Sequence, residues 1–205
     1  MEMLKGVYLI TDRTLCKNRE LEAVREACEA GVNVVQYREK ELSFDKKVEM
    51  AGEMARVCAK YGVIFIVNDD VEVALASGAD GVHLGQKDKG IERALEKGMI
   101  LGISASSIEE AKKAQESGAS YIGFGPVFAT GTKRDAAPPT GLKALKEAGK
   151  KSDVPVFAIG GIDEKNVDEV MKTGVAGIAV VSAIMAAKDF RAASERLVDK
   201  VEKWI

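Results

Sequence analysis

The sequence predicts a closed (β/α)8 barrel, an α/β fold, carried by a single domain over residues 1–205. Three observations predict it: eight short apolar, β-rich runs along the whole length, glycines punctuating the segments between them, and about 25 residues per repeat. The runs are 7–11, 32–37, 63–67, 81–84, 100–104, 121–126, 156–159 and 177–181. Runs such as Val-Ile-Phe-Ile-Val are apolar almost throughout, as parallel strands buried on both faces require.

Gly31, Gly62, Gly78, Gly98, Gly118 and Gly174 each close a segment of helical character and precede a run within a few residues. This is the position just past a helix end, where the left-handed conformation costs glycine no steric penalty. The segments themselves are amphipathic. In 107–117, Ile108, Ala111 and Ala114 recur at helical spacing while Glu109, Glu110, Lys112, Lys113 and Glu116 face water. In 190–205, Leu197, Val201 and Ile205 share a stripe. A doubly wound open sheet is the rival fold; no linker or low-complexity tract divides the chain in two.

Composition narrows the chemistry. The 30 Lys and Arg nearly balance 32 Asp and Glu, a net charge of -2, so any anion must be held by a local site and not by a global field. Neither nucleic acid nor a membrane surface is an expected partner. His83 is the lone histidine, which excludes multi-histidine metal centres. Cys16, Cys28 and Cys58 are widely spaced without a C-x-x-C pair, and read as reduced thiols of a cytoplasmic protein. No stretch reaches the roughly 20 apolar residues of a spanning helix.

In a barrel the functional residues follow the strands. After the second run, Gln36, Arg38 and Lys40 alternate onto one side while the chain stays extended, offering an amide and two cations to a phosphate or diphosphate; a solvated loop is the alternative. After the third, Asp70 reads as the N-cap of the next helix, which leaves Asn68 and Asp69 unexplained. Asp69 is placed to hold Mg²⁺, with Asp88 after the fourth run supplying a second carboxylate and Gly85 allowing a close turn. His83, inside an apolar run, reads as packed or hydrogen-bonded rather than catalytic. Ser107 and Glu110 form a capping box, so Ser104 is spare as a donor to a ligand.

The sixth run leads into a long loop, 129–140, containing Thr130, Gly131, Thr132, Lys133 and Arg134, which reads as an anion clamp or lid, or as a mobile surface loop. Gly160-Gly161 after the seventh run and Val181-Ser182 after the eighth stand where barrels hold a monophosphate on backbone amides. Two anion sites emerge: a metal-free monophosphate site at the last two strands, and a diphosphate site around Arg38, Lys40, Asp69, Asp88 and Lys133. A diphosphate stabilised by Mg²⁺ and cations is a good leaving group, which suggests a transferase.

Gln36 to Lys40, Val67-Asn68-Asp69-Asp70, Gly81 to Asp88, Gly123 to Pro126 with Thr130 to Lys133, Ile159 to Ile162 and Val181-Ser182 together resemble the thiamine-phosphate synthase family, in order and over essentially the whole chain. The resemblance implies condensation of hydroxymethylpyrimidine diphosphate with hydroxyethylthiazole phosphate, or its carboxylated form, through a pyrimidine carbocation. It implies that Gln36, Arg38, Lys40, Asn68, Ser104 and Lys133 bind the pyrimidine diphosphate. Asp69 and Asp88 would hold Mg²⁺, and Thr130, Thr132, Gly161, Val181 and Ser182 the thiazole phosphate. A thiazole tautomerase of the same fold is the nearest rival; it resembles this chain but needs a histidine where Pro126 stands. A barrel isomerase or lyase and a non-catalytic phosphate-binding protein are the others. A homo-oligomer is left open.

Overall fold

A computed structural model describes residues 4–86, 88–131 and 137–205. Eight strands, β1 (Gly6–Ile10), β2 (Val34–Tyr37), β3 (Ile64–Asn68), β4 (Gly81–Leu84), β5 (Ile100–Ala105), β6 (Tyr121–Phe124), β7 (Val156–Ile159) and β8 (Gly177–Val180), pair in sequence order and close into a barrel through β1 and β8. Every pairing is parallel. The closed barrel rules out the open sheet. Strand ends differ from expectation by one or two residues. β2 begins at Val34, and β6 stops at Phe124, before Pro126 with its missing N–H.

The helices are α1 (Glu20–Glu29), α2 (Phe44–Tyr61), α3 (Val71–Ser77), α4 (Ile91–Glu96), α5 (Ile108–Glu116), α6 (Gly141–Lys151), α7 (Val167–Met171), α8 (Ser182–Met185) and α9 (Phe190–Val201). All six glycines read as helix ends have positive φ, from 66° at Gly98 to 92° at Gly31. Asp70 caps α3 by accepting the Val73 N–H at 3.1 Å. The final stripe is shorter than expected: Leu197 and Val201 are buried, but a 3₁₀ turn over Glu202–Trp204 ends the helix and leaves Ile205 exposed. Among the described residues no helix is long and apolar enough to cross a membrane.

Period-two alternation divides the apolar residues into two cores. One set, including Val7, Leu9, Val35, Phe65, Val82, Leu101, Ile122 and Ile178, points outward against the helices. The other, including Tyr8, Ile10, Val34, Ile66, Tyr121 and Phe157, fills the barrel. Tyr8, Tyr121 and Phe157 pack edge-on, with ring centroids 5.4 to 5.8 Å apart. Following each inward series toward the C-terminal strand ends leads from apolar residues to Gln36, Asn68, His83 and Ser104. The same phase that fills the barrel therefore aims these side chains at its mouth.

Candidate active site

At the C-terminal ends of the strands lies a cavity of about 690 Å³. From β2 to β5 it is lined by Gln36, Arg38, Lys40, Asn68, Asp69, Asp88 and Ser104, and from β6 to β8 by Thr130, Gly161, Val181 and Ser182. Thr132 and Lys133, the other two residues expected here, lie outside the described residues.

Gln36, Arg38 and Lys40 reach the cavity differently from the single extended face expected of them. β2 ends at Tyr37, so only Gln36 projects from a strand; Arg38 and Lys40 come from the following loop. That loop is tethered on both sides. The buried Thr11 donates its N–H to the Gln36 carbonyl (2.9 Å) and accepts the Arg38 N–H on its hydroxyl (3.0 Å). The Glu39 carboxylate accepts the N–H groups of Glu41 (2.6 Å) and Leu42 (3.3 Å) and pairs with Arg13 at 3.1 Å.

Asp69 takes a left-handed φ of 62°, a conformation that Asp tolerates better than most residues, and donates its N–H to the His83 carbonyl at 2.9 Å. Its carboxyl is raised above the ordinary value of 3.8. Burial contributes most, followed by the neighbouring Asp88 carboxylate; Lys40, with Nζ 4.0 Å from the carboxylate, opposes them. Asp88 in turn accepts the Gly85 N–H. A Cβ at position 85 would sit 2.8 Å from the Asp88 carboxylate, so glycine there makes room for the acid. Two carboxylates facing one another fit a hard divalent cation, whose charge relieves their repulsion and whose other positions take water and phosphate oxygens. Among the described residues, no group of three or more His, Cys, Asp or Glu is arranged to hold a metal, so this pair is the donor set on offer.

Ser104 Oγ lies 2.9 Å from His83 Nε2, and His83 Nδ1 lies 3.0 Å from the Tyr121 hydroxyl. The histidine is hydrogen-bonded, as expected, and it also lines the cavity. Gln86 donates to the Ser104 carbonyl at 2.7 Å. The expected capping box is half present: Ser107 accepts the Glu110 N–H at 3.1 Å, but the Glu110 carboxylate binds the N–H and hydroxyl of Ser106 at 2.7 and 2.8 Å. Ser106 offers two donors where the Ser107 backbone would offer one.

The opposite side is built from main chain. Val127 and Phe128 donate their N–H groups to the carbonyls of Ile159 (2.8 Å) and Gly160 (3.1 Å), docking the segment after β6 onto the end of β7. Gly161 has φ 65°, and a Cβ there would lie 2.7 Å from the Ala129 carbonyl oxygen and 2.8 Å from Phe128 Cβ. Val181 precedes the four-residue α8, whose first N–H groups have no intrahelical acceptor. The described residues lining this side include no charged side chain.

Tyr8, Ile10, Gln86 and Phe157 also line the cavity, although the sequence reading assigned them nothing. For Tyr8, Ile10 and Phe157 the missing signal is phase, since each shares the inward parity of its strand.

A closed parallel barrel with a polar cavity at the C-terminal strand ends is the architecture of barrel enzymes. The sequence matches the protein-family model described as thiamine monophosphate synthase over residues 7–184. It is 45% identical over 199 residues to the thiamine-phosphate synthase of Methanocella arvoryzae, covering 95% of this chain and 94% of the relative. It is also 45% identical to that of Clostridium novyi, over 201 residues, covering 96% and 98%. The solved thiamine phosphate pyrophosphorylase from Pyrococcus furiosus superposes with a TM-score of 0.93 at 43% identity, covering 100% of this chain and 98% of that one. The chain belongs to the thiamine monophosphate synthase family.

Proposed function

We propose that the protein joins hydroxymethylpyrimidine diphosphate to hydroxyethylthiazole phosphate, or its carboxylated form, giving thiamine phosphate and diphosphate. The supporting observation is the division of the cavity. One side gathers Arg38, Lys40 and the Asp69/Asp88 pair, while the other offers glycine-shaped backbone around Gly161, Val181 and Ser182. The first suits a diphosphate that must leave, the second a monophosphate that only needs holding.

In this reading the carbon–oxygen bond to diphosphate breaks first and its electron pair departs with the diphosphate. The electron-rich pyrimidine stabilises the resulting carbocation, and the thiazole nitrogen lone pair then forms the new carbon–nitrogen bond. Mg²⁺ on Asp69 and Asp88 supplies, when bound, positive charge that lowers the cost of the departing anion. Arg38 and Lys40, with Lys133 from the loop, hold the diphosphate. Gln36, Asn68 and Ser104 orient the pyrimidine, and Thr130 and Thr132 join Gly161, Val181 and Ser182 on the thiazole phosphate. No step requires a strong general base, which fits a chain with one histidine. Pro126 lines the cavity where the tautomerase reading needs a histidine. The setting implied is one cytoplasmic domain acting on small molecules.

Purified protein with Mg²⁺ and both substrates is expected to form thiamine phosphate and release diphosphate. No coupling, or coupling undiminished by Asp69→Ala, overturns the proposal.

A further inference from the structure

Beneath the cavity, five side chains from five strands connect in series. Gln36 Nε2 lies 2.6 Å from the Tyr8 hydroxyl, which lies 2.7 Å from the Tyr121 hydroxyl. Tyr121 reaches His83 Nδ1 at 3.0 Å, and His83 Nε2 reaches Ser104 Oγ at 2.9 Å. Gly102 keeps the middle of the series open, because a Cβ there would collide with both Tyr121 and His83.

The direction of the series follows from its first member. An amide nitrogen can only donate, so Tyr8 accepts from Gln36; its own buried proton needs an acceptor, and among the described residues the other hydrogen-bond partner of Tyr8 is Tyr121, which therefore takes it. Tyr121 then gives its proton to His83 Nδ1, which must be a bare acceptor. The neutral imidazole therefore carries its proton on Nε2 and donates it to Ser104. Ser104, already accepting, has its hydroxyl proton to give to the cavity. At the other end Gln36 has its nitrogen turned to Tyr8, and Oε1 is the end turned away. Burial raises both tyrosine hydroxyls well above their ordinary value, so they remain protonated links.

We propose that Gln36, Tyr8, Tyr121, His83 and Ser104 form a one-way hydrogen-bond chain that fixes an acceptor at Gln36 and a donor at Ser104. The chain thereby selects an amino-substituted nitrogen heterocycle, whose exocyclic N–H gives to Gln36 and whose ring nitrogen takes from Ser104. The oxo counterpart presents an acceptor and an N–H in the inverse order and mismatches both ends. Tyr8, Tyr121 and His83 are positioning residues that act through Gln36 and Ser104. The ligand assignment rests on the function proposed above; the direction of the chain does not.

Because His83 is the only histidine, ¹⁵N-histidine labelling of the full chain reports its tautomer without ambiguity. The ligand-free protein is expected to show the Nε2–H tautomer. Gln36→Glu, read at a pH where the new carboxyl is ionised, places an acceptor-only group beside Tyr8, which reverses every link and moves the proton to Nδ1. In a Tyr8→Phe background the same substitution is expected to change nothing, since the series is cut. A wild-type Nδ1–H tautomer, or a folded Gln36→Glu protein that keeps Nε2–H, overturns the chain. Should Gln36→Glu not fold, Tyr8→Phe alone is expected to give a mixture of tautomers, and a pure Nε2–H form there also overturns it. A 4-aminopyrimidine diphosphate is expected to bind at least about 10²-fold more tightly than its 4-oxo analogue, a floor set below the roughly 10⁴–10⁵-fold rejection by a site built to pair polar groups. Equal binding overturns the selectivity. The tautomer measurement uses no substrate, so failure of the coupling reaction and failure of the chain are read separately.

Discussion

The two sides of the cavity are made of different material. From β2 to β5 the polar lining is side chains, Arg38, Lys40, Asn68, Asp69, Asp88 and Ser104, set on a frame that Thr11 and Glu39 hold from behind. From β6 to β8 it is main chain, shaped by Gly160 and Gly161 and locked by the Val127 and Phe128 hydrogen bonds. Charge on the first side can thus be removed with little effect on the fold. On the second the cavity wall is itself the backbone, and altering it strains the fold.

The sharpest way to break this contrast is to remove cations that the proposed function assigns to the diphosphate. Arg38→Ala and Lys133→Ala are each expected to cost roughly 10²-fold in kcat/KM for the diphosphate substrate, the scale of losing one preorganised charge contact. The KM for the thiazole phosphate is expected to move far less, and the melting temperature hardly at all. Steady-state kinetics with each substrate varied in turn checks this; equal losses for both substrates would erase the partition.

Gly161→Ala attacks the other side and is expected to show the opposite pattern. Its φ of 65° and the contacts of 2.7 and 2.8 Å that a Cβ would make force the segment after β6 to shift. We expect a loss of about 2 kcal/mol, which lowers the melting temperature of a chain this size by roughly 4–8 °C. Thiazole phosphate binding should weaken alongside it. Calorimetry together with thiazole phosphate titration reads both, and weakened binding at unchanged stability would separate cradle from fold.

Within the charged side, Asp69 makes a prediction about pH. Burial and the Asp88 carboxylate raise its folded value above the ordinary 3.8, so the folded chain holds this proton more firmly than the unfolded one. The contribution to stability is fully present below the ordinary value and is lost as pH rises through the raised one. Asp69→Asn keeps a residue that tolerates the left-handed φ and removes the charge. Metal-free melts should show the variant more stable than the parent near pH 7, the difference vanishing on acidification. Parallel curves at all pH would mean that the two carboxylates do not repel.

Both sides were legible in the sequence for the same reason: barrel geometry points to residues at or shortly after the apolar runs, Arg38, Asn68, Asp69, Asp88 and Ser104 on one side and Gly161, Val181 and Ser182 on the other. The eight strands and the glycine helix ends were legible for a similar reason, since each rests on a local steric rule. The interior of the barrel is less legible. Tyr8 and Tyr121 read simply as apolar strand residues, and their hydroxyl pairing across 113 positions of sequence has no local signature. The Glu110 carboxylate went to Ser106 and not to Ser107 because a neighbouring hydroxyl competed for it, a contest that spacing alone does not decide.

The smallest expected effect separates two adjacent acids on the charged side. Asp69 and Asp70 are neighbours in sequence, yet Asp69 turns to the cavity while Asp70 accepts the Val73 N–H at 3.1 Å and caps α3. Asp70→Ala leaves that N–H without its acceptor and is expected to cost about 1 kcal/mol, or roughly 2–4 °C in melting temperature. Asp70→Ser restores an acceptor at the cap and should recover most of the loss. Neither substitution is expected to change the Mg²⁺ dependence of the reaction, because the Asp70 side chain serves the helix. A Mg²⁺ requirement that rises in Asp70→Ala and stays raised in Asp70→Ser would show that the second carboxylate also serves the metal, and that structure and chemistry on this side are less separable than the geometry indicates.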